Sequence, residues 1–268
     1  MPELDPAVRT YYERGDEADR LVGGFPAGPL ELARTQELIV RHLAGSPLDV
    51  LDVGGGPGRY AAWLHGLGHR VHLVDPVELH LRQAGAIAPG VTVELGDARA
   101  LTQADASVDV VLLLGPLYHL PERTDRLRAL GEARRVLRPG GVLFAAAISR
   151  YAALFDTLVR LDRLHDPDVR ATVEAGLRAG AFEGDRGGLF THAYFHHPDE
   201  LGEELAEAGF TGTEVFNIEG PGFLVADIAE RWADPARREV LLAAARLVEQ
   251  EPSLMGASSH LMAVATRV

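Results

Sequence analysis

Asp52, Gly54, Gly56 and Gly58 alternate within Val-Leu-Asp-Val-Gly-Gly-Gly-Pro-Gly-Arg-Tyr at positions 50–60, and two further acids, Asp75 and Asp97, follow at the ends of later apolar runs. An apolar run, then glycines, then a helix-forming stretch is how an open α/β sheet builds a nucleotide site. Glycine lets the chain turn sharply and lets a ligand approach the main chain. A carboxylate about twenty residues beyond such a turn suits a ribose diol, although it also suits a helix cap. The tight alternation of the glycines departs from the G-x-G-x-x-G of dinucleotide sites.

These residues need a sheet to hold them. Apolar segments at 48–53, 70–74, 91–95, 108–114 and 142–148 alternate with helical patterns at 59–67, 77–85 and 121–137, the last closed by Arg138-Pro139-Gly140-Gly141. This rhythm predicts a doubly wound, mostly parallel α/β sheet, with sixth and seventh strands at 213–218 and 261–266. An amphipathic helix is expected at 29–43, with Leu32, Ile39, Val40 and Leu43 as its apolar face. Helices are expected at 151–180, 199–208, 223–232 and 235–249, and a loop at 184–188. The chain reads as one domain. Residues 1–45 form a helical cap and 46–149 a cofactor-binding core. Helical material at 150–190 and 220–252, placed over the carboxyl edge of the strands, serves as a lid or a dimer surface, so a homodimer is a candidate assembly.

The 268 residues carry a formal charge of −13 and no lysine or cysteine. A cationic face for nucleic acid is not expected, and neither disulfides nor cysteine metal sites are possible. No apolar run approaches the roughly 20 residues of a membrane span, and residues 1–14 lack a signal-peptide core. An acidic, cytoplasmic enzyme acting on a small molecule is the expectation.

The ordered set Asp52-x-Gly54-x-Gly56-x-Gly58, Asp75, Gly96-Asp97-Ala98 and Leu137-Arg-Pro-Gly-Gly141 resembles the class I S-adenosylmethionine-dependent methyltransferases, over residues 48–148. The whole chain is similar to the small-molecule type related to quinone C-methylases and bacterial secondary-metabolite enzymes. The resemblance implies a seven-stranded Rossmann-like fold and S-adenosyl-L-methionine as cofactor. Gly54 and Gly56 would pass under its methionine part. Asp52 would organise the turn and help hold the amino group, and Asp75 would accept the ribose hydroxyls. Asp97 would accept the adenine amino group, with Ala98 against the ring. Leu114 and Gly115 would present carbonyls toward the sulfonium. Arg34 could pair with the cofactor carboxylate or be a solvated helix charge.

Methyl transfer from a sulfonium is an in-line displacement, and a base is needed only if the acceptor must lose a proton. Leu112-Leu-Leu-Gly-Pro-Leu-Tyr-His119 lacks the Asn/Asp-Pro-Pro-Tyr of amino-group methylases of nucleobases and glutamine. It also lacks an acid for a magnesium-bridged catechol mechanism. His119 is the candidate base, with pocket lining and helix capping as equal alternatives, and Tyr118 could orient the acceptor or pack in the core. His192, Tyr194 and His196 could line a substrate pocket that His260 also reaches; Pro198 and the aromatic alternation around them argue for an extended segment rather than a metal site. A cofactor-binding protein with non-methylating catalysis or a regulatory role is the alternative function. A nicotinamide oxidoreductase is disfavoured by the glycine spacing and by the absence of any Tyr-x-x-x-Lys pair.

Overall fold

The computed structural model describes residues 4–45, 47–183 and 189–268, so the loop expected at 184–188 lies outside it. Among the described residues nine strands form: β1 (Asp49–Val53), β2 (Arg70–Asp75), β3 (Thr92–Leu95), β4 (Val108–Leu113), β5 (Leu137–Ser149), β6 (Ala181–Glu183), β7 (His192–His196), β8 (Thr211–Asn217) and β9 (His260–Thr266). β3, β2, β1, β4 and β5 lie side by side and parallel. β9 then runs antiparallel beside β5, and β8 antiparallel beside β9. These are the seven strands the sequence predicts. The hairpin of β6 and β7 is additional, attached where β7 pairs with the last residues of β5.

The helices are α1 (Pro6–Tyr12), α2 (Glu17–Asp19), α3 (Gly28–His42), α4 (Arg59–Gly66), α5 (Glu78–Ile87), α6 (Arg123–Val136), α7 (Ala152–Phe155), α8 (Pro167–Ala179), α9 (Pro198–Glu207), α10 (Ile228–Ala233) and α11 (Pro235–Leu247). They cover both faces of the sheet, which is why its central strands are apolar at consecutive positions. Leu51, Val111, Leu113 and Leu143 share one core with Ala129, Leu130 and Ala133 of α6 and Leu201 of α9. Val50, Leu73, Val110 and Leu112 share the other with Leu38 of α3, Ala61 and Leu64 of α4 and Ala84 of α5. The Arg138-Pro139-Gly140-Gly141 run does not end before a strand. It is a bulge inside β5, where the register slips between the Val108–Leu137 and Val110–Val142 pairs.

Two expectations change. The buried face of α3 is Leu30, Arg34, Leu38 and Ile39, while Val40 is 52% exposed. Residues 151–180 are not one helix, since Asp166 ends the break by capping α8 through the amides of Asp168 and Val169, with Pro167 in the first turn. Asp166→Ala should lower the midpoint of urea unfolding. An unchanged midpoint would mean that α8 frays at its start.

Candidate functional site

A cavity of about 250 Å³ opens at the carboxyl ends of β1 to β4, and Asp52, Gly54, Gly56, Asp75, Asp97, Ala98, Leu114, Gly115, Tyr118 and His119 all line it. This is where open α/β sheets bind ligands. The chain turns out of β1 with Gly54 at φ +68° and Gly56 at φ +56°, in the left-handed region. A Cβ on Gly54 would lie 2.7 Å from the Pro116 ring, so the position excludes a side chain on two grounds.

Asp75, at the end of β2, holds this turn. One carboxylate oxygen accepts from the amide of Gly56 at 2.9 Å; the other accepts from the amide of Val77 at 2.8 Å and faces His80 Nδ1 at 3.0 Å. Asp52 shares the sheet face of Val50, beneath the first turn of α4, and takes a hydrogen bond from the backbone of Ala61. Its Oδ2 is buried without a partner. Burial, and then the nearby charge of Asp75, push the Asp52 carboxyl up to about 7. Asp97 is engaged by Arg99 through both oxygens, at 2.9 and 2.8 Å, and Arg99 also reaches Asp125.

The cover of the cavity differs from expectation. The lining residues outside the sheet edge include Leu4, Asp5, Val8, Tyr12, Glu17 and Arg20, and among the described residues none comes from 150–190 or 220–252. The segment around α1 and α2 lies over the strand ends. The 220–252 material packs elsewhere: Phe223, Ile228 and Leu241 cluster with Ala27 and Leu30 of the α3 region. The hairpin side of the 150–190 material buttresses α1 from outside, with Phe190 edge-on to Tyr11 at 5.2 Å and His192 Nδ1 3.1 Å from Asp5.

Arg34 is corrected. Its guanidinium is fully buried, donates to Glu37, Glu249 and the Ile218 carbonyl, and does not reach the cavity. Arg20 and Arg59 line the cavity instead. Arg20 is chelated by Glu31 and touches Glu17. Arg59 spends its hydrogen bonds on the neutral carbonyl of Ala18, with Asp19 3.6 Å away.

The histidines of the expected substrate pocket separate. His196 is fully buried beside Glu204, and Tyr194 lies under the Arg126 guanidinium, 3.7 Å from ring centre to Cζ. Arg126 and Glu204 are themselves buried partners; against its burial, hydrogen bonds from His196 and Arg126 hold the Glu204 carboxyl down to about 2. This is a structural cluster under α6 and α9, and it contributes nothing to the cavity wall. His260 sits behind Arg20, bonded to Glu219 at 2.6 Å and 3.8 Å from Glu31. Glu31, Glu219 and His260 are close enough to share an ion. Their charges are met internally, however, by Arg20 and by the His260 imidazole, which Glu31 and Glu219 raise to about 9 against its burial.

His119 does face the cavity. Burial pushes its imidazole down to about 4, so it is neutral at neutral pH. Its Nε2 lies 2.7 Å from the Tyr12 hydroxyl and its Nδ1 3.3 Å from the His192 carbonyl. Tyr12, Arg20, Arg59 and His80 are among the cavity residues that sequence reasoning missed. No local signal marks Tyr12 or Arg20, whose partners lie elsewhere in the chain.

A parallel sheet with an antiparallel last strand, a glycine turn after β1 and acids ending β2 and following β3 define a Rossmann-like methyltransferase fold. Residues 50–141 match the family model described as a methyltransferase domain. The chain is similar to a ubiquinone biosynthesis O-methyltransferase of Methylocella silvestris, 30% identical over 139 residues, 46% of this chain and 53% of that one. It is also similar to a ubiquinone/menaquinone biosynthesis C-methyltransferase of Acidiphilium cryptum, 37% identical over 108 residues, 38% of this chain and 42% of the other. The chain thus spans about half the length of the curated relatives it matches. Among solved structures, an S-adenosylmethionine-dependent methyltransferase of Mesorhizobium loti superposes with a TM-score of 0.59 at 20% identity, covering 89% of this chain and 100% of that one. Among the described residues no helix is long and apolar enough to cross a membrane.

Proposed function

We propose that the protein is an S-adenosylmethionine-dependent methyltransferase acting on a small molecule at O, N or C. The observation that carries this is the unpartnered Oδ2 of Asp52, buried in the cavity wall beside the glycine turn. A buried carboxylate oxygen without a partner is costly, and a cationic ligand group relieves it. The amino group of a methionine moiety is such a group. Asp75 would accept ribose hydroxyls with its remaining lone pairs, Arg20 and Arg59 would face the carboxylate, and Asp97 with Ala98 would meet the adenine. Bound there, the cofactor supplies an electrophilic methyl group. The protein's part is to orient the acceptor and exclude water, the first through the wall of Tyr118 and His119, the second through α1.

Thermal unfolding with S-adenosylhomocysteine tests the reading. At 100 times Kd a ligand of the folded state stabilises it by about 2.7 kcal/mol, which raises the midpoint by several degrees. No shift, with no binding by calorimetry, would sink the proposal. Binding without transfer of a labelled methyl group to any acceptor would favour non-methylating catalysis or a regulatory role.

A further inference from the structure

Tyr12 reaches the cavity from α1 and is gripped there. Its ring stands edge-on to His80 at 5.1 Å and to His119 at 5.2 Å between centres. Its hydroxyl meets His119 Nε2 at 2.7 Å. The direction of that bond follows from the far side of the imidazole. The His192 carbonyl can only accept, so His119 carries its proton on Nδ1 and presents a bare Nε2. Tyr12 must therefore donate to His119, and the tyrosine oxygen turns lone pairs, not a proton, toward the cavity. Leu4, Val8, Leu120 and Pro121 give the cavity an apolar part of its lining, beside the charged Asp5, Glu17 and Arg20.

We propose that Tyr12 is the residue that takes the proton from the methyl acceptor and hands its own to His119, and that the acceptor is a phenol or alcohol on an apolar frame. The proposal rests on the methyltransferase reading and names the substrate class of that site. A lone pair selects a partner that donates, and a hydroxyl acceptor is the one that must give up its proton, since a methylated amine is stable as an ammonium. The acceptor oxygen forms its bond to the methyl carbon as the carbon–sulfur pair returns to sulfur. The acceptor O–H then breaks, an O–H forms at Tyr12, the original Tyr12 O–H breaks and an N–H forms at His119 Nε2. The positive charge brought in by the sulfonium ends on the imidazolium and leaves as a proton to solvent. A buried imidazole near 4 is too weak a base for a neutral phenol but strong enough for the oxonium that develops as the new bond forms. The proton therefore moves with the methyl group, not before it. Tyr12 touches the acceptor; His119 acts through it as a positioning residue and proton sink.

The test uses the whole chain, each variant saturated with S-adenosylhomocysteine, and two probes, 2-naphthol and its methyl ether 2-methoxynaphthalene. Calorimetry should show 2-naphthol binding roughly tenfold more tightly, the worth of one hydrogen bond. Tyr12→Phe should reduce that preference to about twofold or less. In 15N-labelled protein the His119 Nε2 resonance should move when 2-naphthol binds and stay still in Tyr12→Phe, a signature that a merely structural contact would not give. Equal affinities in the native chain, no binding of either probe, or a preference that survives in Tyr12→Phe overturns the proposal. Failure of S-adenosylhomocysteine to bind the native protein would instead remove the methyltransferase reading beneath it.

Discussion

Asp75→Ala is expected to lower the affinity for S-adenosylhomocysteine at least about 100-fold and to destabilise the ligand-free protein by about 2 to 4 kcal/mol. Both effects come from one carboxylate. In the ligand-free protein it satisfies the amides of Gly56 and Val77 and orients His80. Its loss leaves buried donors without partners, at about 1 to 3 kcal/mol each before relaxation. In the complex the same oxygens would accept ribose hydroxyls, and hydrogen bonds to a charged group are worth about 1.5 to 3 kcal/mol each. Urea unfolding without ligand reads the first effect. Calorimetry at a temperature where the variant is folded reads the second. A destabilised variant whose affinity falls less than about threefold would show that Asp75 holds the glycine turn and not the ribose.

That a residue can do both jobs explains what was legible in the sequence. The glycine turn, Asp52, Asp75 and Asp97 sit where strands end, and strand ends are marked by apolar runs giving way to small or acidic residues. Local pattern therefore placed them, and all line one cavity. Arg34 was legible too, by a signal that pointed the other way. It falls four residues after Leu30 and four before Leu38, and all three are fully buried, so helical spacing puts it on the inner face. Reading the apolar face through Val40 instead turned α3 by part of a turn and let Arg34 seem free.

Tyr12 and Arg20 were not legible, because their roles depend on contacts made across the chain. Tyr12 meets a histidine 107 positions away. Arg20 earns its place through Glu31 and through the way α1 and α2 lie over the strand ends. His196 and Tyr194 fail for a related reason. Alternation in 192–196 predicts an extended segment, yet only pairing with β5 and β6 fixes what each residue meets. His196 is turned in, onto Glu204.

Asp52→Asn is expected to stabilise the ligand-free protein at pH 8 while weakening cofactor binding about tenfold or more, as loss of a charge-assisted bond should. The carboxyl ordinarily ionises near 3.8 and in the fold near 7, because burial and then Asp75 oppose its charge. Below about pH 4 both folded and unfolded chains hold the proton, and the residue is neutral toward stability. Between those values the unfolded chain ionises and the folded one does not, so the penalty grows with pH and is complete above about 7. At about 1.4 kcal/mol per unit, its full size is of order 4 kcal/mol, lowered by whatever water reaches the cavity. Asparagine has no charge to lose, so the stability gap between variant and native chain should widen from pH 5 to pH 8. Binding has the opposite dependence. An ammonium beside Asp52 favours the ionised form, so native affinity should fall as pH drops below about 7, by up to tenfold per unit. The variant's affinity should be flat there. Urea unfolding and calorimetry at both pH values decide the matter. A stability gap that does not change with pH, or a native affinity that does not, would mean that Asp52 is already ionised and balanced by the fold, and that the amino group of the cofactor is held elsewhere.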